Sequence, residues 1–110
     1  MNEAVLELYS LDAEMGLLGA LMAKESVLDD VSDMVLPDYF FIDKHRNSAK
    51  TIFWLAERGK SFDMVSVGDC AGSKIDEIGG FEYLNDLVCC ASASISPVRN
   101  AEVIKEKFIK

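Results

Sequence analysis

The chain has 110 residues and a mass of 12.1 kDa, about one domain's length. Half of its residues are apolar and 27% are charged, with only 2 prolines and 7 glycines, which excludes a disordered, collagenous or low-complexity chain. Nineteen acids against eleven bases leave a net charge of −8, so the chain lacks the general attraction to phosphates on which non-specific nucleic-acid binding rests.

Size scaling gives a folded surface of about 6,000 Å² against about 17,500 Å² for the unfolded chain, enough burial for a core without disulfide or metal staples. The first basic residue is Lys24, preceded by Glu3, Glu7, Asp12 and Glu14. A secretory signal needs a positive n-region, so the expected location is cytoplasmic. The longest apolar run, Leu17 to Ala23, is too short to span a bilayer. The three cysteines form an odd set with Cys89 and Cys90 adjacent, and this predicts buried, reduced thiols.

Helical periodicity runs nearly throughout. Ser10 or Asp12 can cap a helix extending to Met22, with Glu14 in its first turn, where a negative charge suits the helix dipole. This helix is apolar on most sides, and Gly16 and Gly19 allow neighbours to approach closely, so it is expected to be central. A second helix from Ser26 places Val27, Leu28, Val31, Met34 and Val35 inward and Asp29, Asp30 and Asp33 outward, ending at Leu36-Pro37. Asp43 opens a third that runs to Arg58, with Ala49, Ile52, Phe53 and Ala56 on one stripe and Gly59 as its stop. Asp63 caps a short helix limited by Gly68 and Gly72. Gly79-Gly80 introduces another, with Phe81, Leu84, Leu87 and Val88 inward and Glu82, Asn85 and Asp86 outward. After a serine-rich loop, 92–96, Pro97 starts a last helix carrying Val98, Ala101, Ile104 and Phe108. That helix reaches Lys110 with neither a glycine nor a polar tail, as a helix cut short would. The expected fold is all-α: a single compact bundle of five or six short helices.

None of the candidates for chemistry outweighs its plainer reading. Gly59-Lys60-Ser61 ends like a phosphate-binding loop, but Trp54 stands where the motif needs glycine, and a helix precedes it instead of a strand. Gly72-Ser73-Lys74 fails the same test. His45 is the only histidine and has no cysteine within a few residues, and Cys89-Cys90 has the wrong spacing for a zinc knuckle. A Cys–His catalytic pair remains compositionally possible, but thiols in a hydrophobic helix end are ordinarily core filler. The carboxylates follow solvated helix faces. The basic tail, Lys105, Lys107 and Lys110, is offset by Glu102 and Glu106. The residues alone therefore describe an acidic, helical, protein-binding domain with no catalytic, cofactor or metal residues.

The run Ser10-Leu11-Asp12-Ala13-Glu14-Met15-Gly16-Leu17-Leu18-Gly19-Ala20-Leu21-Met22 resembles the first helix of replicative DNA helicases of the DnaB family. The resemblance continues in order. It takes in Phe40-Phe41 with His45-Arg46, Leu55 with Gly59, Phe62 to Val67, Ile78-Gly79-Gly80 with Tyr83-Leu84 and Leu87, and Ala101 to Ile104. It covers roughly residues 10 to 108. The segment between Asp63 and Gly79 is shorter than the family pattern, Asn100 replaces a common tyrosine, and Ser96 replaces an asparagine, as in a divergent member.

The resemblance implies a collar domain spanning 1–110, with a globular part at about 10–96 and the first arm of a helical hairpin at about 97–110. The motor domain, which holds ATP and magnesium, is absent from this stretch. It further implies self-association into dimers and a hexameric ring in the full-length protein, and docking of the primase carboxy-terminal domain and of a loader or inhibitor. Direct DNA binding by this part would be slight. Val98, Ile104 and Phe108 are the expected interface positions. Glu14, Leu18, Gly19, His45, Asp63, Gly79, Gly80, Tyr83 and Leu84 are the family-motif positions of structural weight. Two alternatives stay open: a stand-alone regulator that copies the collar, and an enzyme using Cys89 or Cys90 with His45.

Overall fold

The computed structural model describes residues 10–91 and 96–109, and every regular element in them is helical. Helix α1 (Leu11–Ala23) starts at Ser10, whose hydroxyl accepts a hydrogen bond from the Ala13 amide at 3.2 Å. Its apolar residues surround the axis, and Leu17, Leu18 and Leu21 are fully buried, so α1 is the centre of the bundle. Gly19 is required there: a Cβ at this position would lie 1.8 Å from the Leu87 carbonyl oxygen. The absence of a side chain lets another helix, α5 (Gly80–Ala91), lie directly on α1.

The second helix is shorter than its apolar spacing predicts. Helix α2 is Val27–Val31, followed by turns through Met34. Val27, Val31 and Val35 are buried, whereas Leu28 and Met34 are only half-buried. Ser32 and Asp33 are weak helix formers, and Leu36 is extended (φ −120°, ψ 160°), as a residue before proline prefers. Pro37 then heads a 3₁₀ turn, Pro37–Tyr39. Helix α3 (Asp43–Glu57) buries His45, Ser48, Ala49, Ile52 and Leu55. Phe53 and Ala56 flank that stripe half-buried.

Asp63 caps α4 (Met64–Ala71) by accepting from the Ser66 amide at 3.2 Å. Gly68 does not limit this helix, as the sequence suggested; it lies buried inside α4, under the ring of Phe81. Phe81 is accordingly no core residue: its ring covers α4 and remains 44% exposed. A 3₁₀ segment, Gly72–Ile78, leads to Gly79 and Gly80, both at positive φ, and then to α5.

Helix α6 (Pro97–Ile109) packs on α1 and α2 through Ala101 and Ile104. Ser96 is its cap, with Oγ accepting from the Arg99 amide at 3.1 Å. Val98 and Phe108 stay outside the core; they are 40% and 51% exposed. Val98 lies in the exposed first turn, and Phe108 sits a turn beyond the core, where its ring stacks on Tyr39 at 4.3 Å. The thiols also depart from expectation, since Cys70 and Cys89 are exposed and Cys90 is half-buried. Leu84 and Leu87 take the inner face of α5, and position 89 falls on the same outward stripe as Glu82, Asn85 and Asp86. Most of the serine-rich loop, 92–95, lies outside the described residues.

Candidate functional site: a buried polar relay beneath an open groove

Glu14 is the exception to the solvated carboxylates. It is 2% exposed, in the first turn of α1, and points toward the start of α3 instead of to water. One oxygen accepts from the Phe41 amide at 2.8 Å, and the other accepts from the Ile42 amide at 3.4 Å and meets His45 Nδ1 at 2.8 Å. His45 is fully buried, and its Nε2 lies 2.5 Å from the Tyr83 hydroxyl. A carboxylate offers only acceptors, so the Nδ1 proton must be on the histidine and donated to Glu14. With that tautomer assigned, Nε2 accepts from the Tyr83 O–H. Burial chiefly, and then electrostatic repulsion from Cys90, Glu14 and Asp86 as the phenol ionises, raise the Tyr83 pKa above the usual phenol value and keep this donor protonated. Lys44 places its ammonium 3.7 Å above the same ring.

The relay joins α1, α3, α5 and the 41–42 link. Gly79 makes room for it at the α5 end: with φ at 95°, it turns the chain where a Cβ would lie 2.7 Å from the Tyr83 ring. Both nitrogens of His45 are taken by Glu14 and Tyr83, so neither is available to activate a cysteine. Among the described residues no group of three or more His, Cys, Asp or Glu could hold a metal. The polar groups of the relay are spent on one another, and their effect is to fix helix positions.

Above the 41–42 link lies an open groove of about 1380 Å³. It forms where the Pro37–Tyr39 turn, the first turns of α3, residues 76–77 and the end of α6 meet. Nothing in the helical periodicity marked Phe41 or Ile42 as anchoring points, because they belong to an extended link between helices. The resemblance to a known motif was the only signal at Phe40-Phe41.

The expected positions separate by environment. Leu18, Leu84 and Ile104 are core. Asp63 is a cap, Gly19 and Gly79 are close-approach points, and Gly80 has a φ of 82° at the start of α5. Glu14, His45 and Tyr83 converge in the relay, while Val98 and Phe108 stay on the surface. The two glycine–lysine fragments form no phosphate cradle. Gly59 ends α3, and Glu25 ties down the turn after it, accepting from the Ser61 hydroxyl at 2.5 Å and from the Phe62 amide at 2.8 Å. Gly72 to Lys74 form the kink after α4. No helix among the described residues is long and apolar enough to cross a membrane.

The model of the DnaB-like helicase N-terminal domain matches residues 6–106. The replicative DNA helicase DnaC of Bacillus subtilis is 28% identical over 91% of this chain, and the replicative DNA helicase DnaB of Pasteurella multocida is 25% identical over 99%. The matches cover only 22% and 24% of those relatives' own lengths. The crystal structure of the N-terminal domain of DnaB helicase from Mycobacterium tuberculosis superposes with a TM-score of 0.86 at 26% identity, covering 93% of this chain and 72% of that one. Family model, relatives and fold agree, and the chain belongs to the DnaB-like helicase N-terminal domain family.

Proposed function

We propose that the chain is the interaction and oligomerisation domain of a replicative DNA helicase, supporting ring assembly and docking the primase carboxy-terminal domain or a loader during cytoplasmic DNA replication. The observation that carries this reading is the family match over residues 6–106, on a chain whose glycine–lysine fragments fold as a helix stop and a kink. ATP and magnesium belong, on this reading, to a motor domain outside this sequence. The acidic balance leaves DNA to that motor as well.

The exposed side chains suit such a role. Val98, Phe108 and Ile109 put apolar surface on α6, the helix that would begin the dimer-forming hairpin. Phe108 and Ile109 are neighbours in its last turn, and exposed apolar patches mark interaction sites. The test compares this chain with a version extended through the second arm of the hairpin, by sedimentation equilibrium and by titration with the primase carboxy-terminal domain. The extended form should dimerise and bind. If it does neither, the reading is wrong.

A further inference from the structure

Phe41 and Phe108 are 50% and 51% exposed, and both line the groove above the relay. Tyr39 backs Phe108 by stacking, so one wall is aromatic. The rim carries both acids and bases, but most of the bases are already engaged. Arg46 pairs with Asp43 and donates to the carbonyls of Phe40 and Phe41. Lys44 sits over the Tyr83 ring. Asp38, Asp76 and Glu77 are exposed and enter no ion pair among the described residues. Three open carboxylates thus face the groove against Lys107, and the net charge of −8 adds a field of the same sign.

We infer that this groove docks a basic amphipathic helix of a protein partner. Its apolar stripe would lie on Phe41 and Phe108, and its Lys and Arg side chains would face Asp38, Asp76 and Glu77. A second copy of this chain is the poorer occupant of this groove, because it has no excess of bases to set against the three carboxylates; Val98 and Ile109, which do not line the groove, are left for self-association along α6. Single-stranded nucleic acid could stack on the rings, but its phosphates would meet the carboxylates. The inference rests on the interaction-domain reading and adds the surface and the partner's charge.

The probes are two synthetic helical peptides with the same Leu/Phe stripe, one flanked by Lys and Arg and the other by Glu. Each is titrated at low salt onto the isotope-labelled chain and followed by amide resonances. The basic peptide should perturb Phe41, Ile42, Asp76, Glu77 and Phe108, and the acidic peptide should not. Asp76→Lys with Glu77→Lys should weaken the basic peptide about tenfold. Asp30→Lys with Asp33→Lys makes the same change in net charge away from the groove and should weaken it far less. Equal binding of both peptides, shifts centred elsewhere, or equal losses in the two charge variants would overturn the proposal. So would a groove already covered in a dimer that Phe41→Ala dissociates. Primase titration of the extended chain uses neither peptide, so it tests the broader reading independently.

Discussion

Glu14 shows how a single buried side chain can organise distant backbone. Its donors lie 27, 28 and 31 residues away in sequence, and together they saturate a carboxylate that water cannot reach. Glu14→Gln keeps the shape but substitutes an amide N–H₂ where only acceptors fit. It should cost about 1–3 kcal/mol, read as a lower urea midpoint at unchanged m-value. Tyr83 makes a prediction in pH. Its folded pKa is raised above 10.0, by burial first, so its contribution is complete below about pH 10 and is lost as the pH climbs through the folded value. Tyr83→Phe should therefore lower stability at neutral pH and give a shallower alkaline decline than the parent. An unchanged alkaline limb in urea melts would show that this phenol is not the group responsible. Local reasoning could not reveal the relay. An acid in the first turn of a helix already has a sufficient explanation in the dipole, and nothing within a few residues of Glu14 betrays partners some thirty positions on. The family motif named all three members; their contact came only from the fold.

At the scale of elements, chain order and caps were legible because they depend on neighbours in sequence. Asp63 is the clearest case. Hydrogen bonds from Ser66, outweighing a slight desolvation, lower its pKa below 3.8. The contribution is thus present above about pH 4 and fades as the pH falls through the lowered value. Asp63→Ala should cost about 1 kcal/mol at neutral pH. Asp63→Asn should retain most of the cap and flatten the acid limb, which guanidinium melts from about pH 2 to 7 would follow. Which apolar residues of an element reach the core was less legible, because that depends on what the element lies against. Phe81 covers Gly68, and Phe108 overruns the bundle onto Tyr39. Ile104, fully within the core, should lose about 2–5 kcal/mol on truncation to Ala. Phe108→Ala should lose about 1 kcal/mol, since a half-exposed stacked ring surrenders little burial. Thermal melts of the pair would separate the two environments, and equal losses would place Phe108 in the core after all.

In the molecule as a whole, the relay and the groove share a wall. Glu14 Oε2 holds the Phe41 amide at 2.8 Å from inside, while the Phe41 side chain lines the groove outside. Arg46 grips the carbonyls of Phe40 and Phe41 from the rim at 3.4 and 3.2 Å. The buried grip is the stronger one: a carboxylate accepting from a backbone amide away from water outweighs longer bonds made by a half-exposed guanidinium. Glu14→Gln should then weaken the basic peptide several-fold at a temperature where the variant is still fully folded, although no atom of Glu14 reaches the groove. Arg46→Ala should weaken it less, because it also releases Asp43 to the field of open carboxylates that favours the peptide. Peptide titrations on the two folded variants decide the matter. If Arg46→Ala proves the more damaging, the groove is shaped from its rim and the relay serves stability alone.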